Sequence, residues 1–195
     1  MGEEIKAQLA HWPRAVLVLA ATVALTLTAA ASAGNVSRTT IHEEDAVVID
    51  DFCEVEGLTV EDSFVLDIRE KAGPRGRDRL VYFQSHGRQT EVITNLANDR
   101  FVTSSSKVNE KDLRVTNNGD GTLTILILAT GNATVYGANG KAIARNPGQI
   151  RFELVVDHGG TPNNPDDDVE LSFEVVKDST GRTDDFCGAV VPALS

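Results

Sequence analysis

The chain has 195 residues and carries 29 acidic against 18 basic side chains, a net charge of −11. A field of that sign repels the phosphates of nucleic acid and anionic lipid, which argues against both as partners. One Trp and two Tyr beside seven Phe leave few of the rings that usually stack on bases or sugars, so the composition also argues against ring-based recognition.

Lys6, His11 and Arg14 precede the uncharged run Ala15 to Leu27, and Ala31-Ser32-Ala33 follows. A weakly basic start, a short apolar stretch and a small-x-small site predict a signal peptide over residues 1–33. The apolar run is too short to span a bilayer, which takes about 20 residues, so no membrane anchor is expected after cleavage. The expected location is secreted, extracellular. Trp12 and the single Met leave with the signal, as do two acidic and two basic residues, so the remainder keeps its charge of −11.

The segment GNVSRTTIHEED, 34–45, is polar and lacks periodicity, which predicts a flexible leader. A single domain is expected over 46–195. The chain's two cysteines, Cys53 and Cys187, stand in a repeated tetrapeptide, Asp50-Asp51-Phe52-Cys53 and Asp184-Asp185-Phe186-Cys187. Export to an oxidising compartment predicts that they form one disulfide clamping the first strand to the last. The repeat then reads as a similar strand end used twice.

Between the cysteines β patterns dominate. In SFVLDIRE, Phe64, Leu66 and Ile68 share a face; RLVYFQS (79–85) and TEVITN (90–95) follow, with Gly87 between them as a turn. FVTSSS (101–106) and DLRVTN (112–117) read as weaker strands. Asn117 to Gly121 and Asn139-Gly140 are hairpin signals, and Asn146-Pro147-Gly148-Gln149 fits a type II turn. QIRFELVVD and DVELSFEVV alternate apolar and polar residues, as half-buried antiparallel strands do. No stretch beyond the signal has a 3.6-residue period with caps. Nine to eleven short strands predict an all-β fold, an antiparallel barrel or, alternatively, a sandwich. TLTILILAT is apolar on both faces, which makes Leu126 and Leu128 candidates for a ligand or partner surface.

No residues are predicted to be catalytic. There is no GxSxG, HExxH or CxxC, and His86 and His158 both sit beside glycines in predicted turns. The loop 158–170 offers Asp166, Asp167 and Asp168, hard oxygen ligands and the candidates for a calcium site; no other cofactor is implied. Its opposite is REKAGPRGRDR (69–79), rich in cations.

The cysteine before the first strands, ITNLANDR (93–100), NNGDGTLTILILATGNATVYGANGK (117–141), PGQIRFEL (147–154) and the second cysteine form a pattern. It resembles a broad set of small secreted actinobacterial proteins, themselves uncharacterised, over roughly Asp50 to Val191. The resemblance implies an all-β domain held by one terminal-to-terminal disulfide and brings no catalytic residues with it. By size and fold class alone the chain is also similar to allene oxide cyclase and dirigent-type barrels. Two functions follow as expectations. The first is a non-enzymatic secreted protein that binds a partner at the cell surface or in the medium. The alternative is a small cavity-barrel enzyme acting on a small apolar ligand.

Overall fold

The computed structural model describes residues 36–195; the signal peptide expected over 1–33 lies outside them. Seven strands form one antiparallel sheet in which spatial order equals chain order. They are β1 (Ser37–Ile49), β2 (Val60–Arg75), β3 (Leu80–Asn95), β4 (Phe101–Asn117), β5 (Thr122–Gly137), β6 (Ala142–Asp157) and β7 (Val169–Lys177). A helix, α1 (Phe186–Leu194), ends the chain. Such a meander is what consecutive hairpins produce when each connection is short.

The all-β expectation holds, but the strands are fewer and longer than their sequence signals. RLVYFQS and TEVITN are one strand: Gly87 is no turn, because it pairs with Ile68 on one side and Val108 on the other. FVTSSS and DLRVTN likewise join as β4, with a bulge between Asp112 and Arg114. The type II turn predicted at Asn146 to Gln149 is instead part of β6, paired with Thr130 to Ala133. Pro147 is tolerated there because β7 begins to pair with β6 only at Arg151, leaving that edge without a ladder to break. At Gly87 and in mid-β4 pairing to both neighbours outweighs a local turn preference, and at Asn146 to Gln149 pairing to β5 alone does so. True hairpin turns do fall where expected, at Gly119 and Gly121 and at Gly140, all with positive φ.

The predicted flexible leader, 34–45, is corrected too. Most of it is β1, in register with β2 from Ser37 opposite Ala72 to Ile49 opposite Val60. Its polarity reflects an edge strand that is largely exposed, not a lack of structure. One sheet is present rather than a sandwich's two, and β1 pairs only with β2 while β7 pairs only with β6. The sheet is therefore not closed into a barrel.

Cys53 and Cys187 form a disulfide with Cα atoms 5.6 Å apart, across a sequence separation of 134. It clamps the turn after β1 to α1, not to a last strand as expected. The two tetrapeptides differ in structure. Asp51 and Cys53 have left-handed backbones in a 3-10 turn, where Asp51 Oδ1 accepts from Gly57 N at 2.8 Å. Asp185 is the N-cap of α1 and accepts from Gly188 N at 2.9 Å. Asp50 accepts from Thr59 Oγ1 and Asp184 from Arg145 N, so each carboxylate has its own local partner.

α1 packs on one face of the sheet, here the inner face, at the end where β2, β4 and β6 begin. Val190 and Leu194 are fully buried there among Val60, Ile93, Val102, Val135 and Ala144. Asn95 and Asn98 both donate to the Leu194 carbonyl at 2.9 Å, satisfying the helix C-terminus. The path from β7 to α1 runs along β6, with Thr180 N donating to Gln149 O and Asp184 N to Arg145 O. Gly181 lies against the Pro147 carbonyl so closely that no Cβ would fit. We expect Leu194→Ala to cost about 2–5 kcal/mol in chemical denaturation, because the residue is fully buried and α1 is, among the described residues, the α-helix that covers this core.

Candidate functional site

Long strands give the sheet two faces of opposite character. On β3 and β4 the inner positions alternate strictly, and in mid-sheet they are polar: Ser85, Gln89, Glu91, Ser104 and Ser106 are only 4–7% exposed. α1 sits over the end of the sheet, so the cover for these residues is the curl of the sheet itself, which a strongly twisted antiparallel ribbon adopts. Consistent with that curl, Asn163 of the β6–β7 loop reaches the carbonyls of Asp78 and Arg79 at 3.0 and 3.2 Å, with its amide nitrogen turned to them. The acidic and basic loops of the sequence thus meet each other.

Acidic side chains line this inner face. Glu91 is pushed up to about 7 by burial, with the Asp62 carboxylate adding to the effect. The Gln89 amide donates to its Oε1 at 2.8 Å. Glu110 is also raised to about 7, by burial and then by Asp112 and Glu70. Burial raises Asp112 to about 6, although its Oδ2 accepts from Phe83 N at 2.7 Å. Asp62 and Glu70 are raised by desolvation as well. Carboxyls held protonated near neutral pH are suited to general-acid work, but only where a substrate can reach them. Glu91 and Asp112 are each 6% exposed. The sequence singles out none of these groups, because a carboxylate in a β pattern carries no local sign of which face will be covered.

The outer face is different. One register row crosses all seven strands, and five of its positions are cationic: Arg38, Lys71, Lys111, Arg151 and Lys177. Gln84 and Leu128 complete it, and it contains no carboxylate. On one side the next two rows of the same face add Arg69, Arg88 and Lys107 and one acid, Asp67, which pairs with His42 at 2.8 Å. That contact raises the His42 pKa, followed by the one to Glu44. Beyond the row, Glu153 and Glu174 face one another and mark the limit of the basic band.

Leu126 and Leu128 stand on this outer face, both half-buried. Leu128 lines a cleft of about 170 Å³ with Gln84, Asn109, Glu110, Lys111 and Thr130. His86, beside it, shares a short hydrogen bond with Asn109 Oδ1. Leu126 lies one step on, paired with Arg114 and Glu153, outside the cleft.

In the acidic loop Asp167 accepts from Thr161 Oγ1 and Asn164 Nδ2. Asp168 has a buried, unpartnered Oδ1, and burial, then Asp167, raises its pKa to about 6. Among the described residues no three His, Cys, Asp or Glu side chains are grouped to hold a metal ion, and no helix is long and apolar enough to cross a membrane. No family model, curated protein or solved structure matches the chain, and the functional reading rests on its residues.

Proposed function

We propose that this is a secreted, disulfide-clamped β-protein that acts by binding, and that its binding surface is the outer face of the sheet. One observation carries the reading: in a chain of net charge −11, a row across seven strands holds five cations and no acid. Charge segregated in this way gives a local field opposite to that of the whole molecule and selects an anionic partner. The disulfide suits an oxidising compartment, so the partner is one met at the cell surface or in the medium. Glu91 and Asp112, the most deeply buried of the acids with raised pKa, lie on the opposite face under cover, where they shape stability.

Cosedimentation with cell-envelope material from producing cells tests the reading. The double variant Lys71→Glu/Lys111→Glu is expected to lose retention by about tenfold or more, while Lys141→Glu, at an exposed hairpin tip, retains it. Equal retention of all three proteins would overturn the assignment.

A second reading, a small enzyme for an apolar ligand, is favoured by one observation, the raised pKa values of Glu91 and Glu110. It requires the sheet to close further, β1 onto β7, into the barrel of the sequence reading. The exposed Val47, Val48, Val169 and Leu171 on those two edge strands are the surface such closure would bury.

A further inference from the structure

We infer that the anionic partner is an acidic polysaccharide, laid across the strands along the row of Lys71, Lys111 and Arg151; this rests on the binding function proposed above. With strands about 4.8 Å apart, seven of them spread the row over roughly 29 Å of sheet. A small anion would meet one or two of these side chains, whereas a chain of anions meets them all. No helix terminus or enclosed pocket gathers the cations onto one point; they are strung out in line.

Lys71, Lys111 and Arg151, with Arg38 and Lys177 one strand beyond either end, come from β2, β4 and β6, so these three central cations are two strands, about 10 Å, apart. That step suits a polymer charged on alternate units, as in a polysaccharide with one uronate per disaccharide. The positions between are Gln84 and Leu128, an amide and an apolar side chain. The next row offers His86, Asn109, Thr130 and Gln149, hydrogen-bonding groups suited to hydroxyls.

Nucleic acid fits this face less well than a sugar chain does. None of these rows contains Phe, Tyr or Trp, so bases have no platform on which to stack. The shortage of aromatic rings in the sequence counts against recognition by stacking. It leaves recognition by charge untouched, and the register supplies the charges.

The test measures binding of the intact, disulfide-bonded protein to three probes. These are hyaluronate, with one carboxylate per disaccharide, a mixed-sequence single-stranded DNA of matched charge, and vesicles containing anionic phosphatidylglycerol. Hyaluronate is expected to bind most tightly, and to weaken about tenfold as salt rises from about 50 to about 200 mM, because the shorter Debye length screens each cation from its carboxylate. Lys71→Glu/Lys111→Glu is expected to weaken it by about tenfold or more at low salt, with the thermal midpoint checked to confirm that the variant folds. If DNA or vesicles bind as tightly or more tightly, and the double variant abolishes that binding, the polysaccharide assignment fails while the outer-face binding function stands. If no probe binds, or binding ignores the double variant, both fail.

Discussion

Replacing Cys53 and Cys187 with alanine is expected to lower the unfolding free energy by as much as about 5 kcal/mol, the chain-entropy value for a closed loop of this length. The loop contains every strand from β2 to β7, so the bond restrains nearly the whole unfolded domain. Locally it also holds α1. The helix has nine residues with Pro192 inside it, too short to persist without tertiary contacts. Once released, α1 withdraws Val190 and Leu194 from the core at the sheet's end and uncovers Val60 and Val102, each fully buried. Urea titration of the oxidised protein against the double variant measures the difference. An unchanged midpoint would mean that neither loop closure nor helix docking contributes as argued.

Stability is expected to fall as pH rises from about 4.5 to above 7, opposite to the behaviour of domains whose carboxylates are ion-paired. Glu91 and Glu110 have folded pKa values near 7 against an ordinary 4.5. Between those limits the folded protein binds more protons than the unfolded chain. The stabilisation is therefore fully present below the unfolded pKa and is lost as pH rises through the folded one. A shift of this size corresponds to about 3 kcal/mol for one such Glu taken alone. Glu110, Asp112 and Glu70 titrate together, so their contributions do not simply add. Glu91→Gln keeps the shape and removes the charge. It is expected to be more stable than the parent at pH 8 by about 3 kcal/mol and similar to it at pH 4. Denaturation midpoints at the two pH values decide the matter, and a parent protein more stable at pH 8 than at pH 5 would refute the account.

These buried acids also explain why the strands were hard to delimit from sequence. An inward Ser85, Gln89 or Glu91 interrupts the apolar alternation that marks a half-buried strand, so one 16-residue strand reads as two short ones with Gly87 between them. The helix was missed for a different reason. FCGAVVPAL contains a proline and is apolar nearly throughout, so it has no polar face to reveal a 3.6-residue period. Its N-cap, Asp185, was the one readable sign. β1 was missed because an edge strand need not be apolar to be paired.

Some features follow from the residues alone. The all-β character follows from the alternation in SFVLDIRE and QIRFELVVD. The hairpin turns at 117–121 and 139–140 follow from glycines that reach positive φ. The disulfide follows from the chain's having two cysteines, which allow a single intramolecular pairing. Other features belong to the tertiary structure. Lys71, Lys111 and Arg151 lie 40 residues apart in sequence and form a line only because each turn sets the register of the next strand. Whether Glu91 faces water or the interior is decided in the same way, by which side of the sheet curls inward and which side α1 covers. Both outcomes depend on long-range pairing, and local sequence patterns do not carry that information.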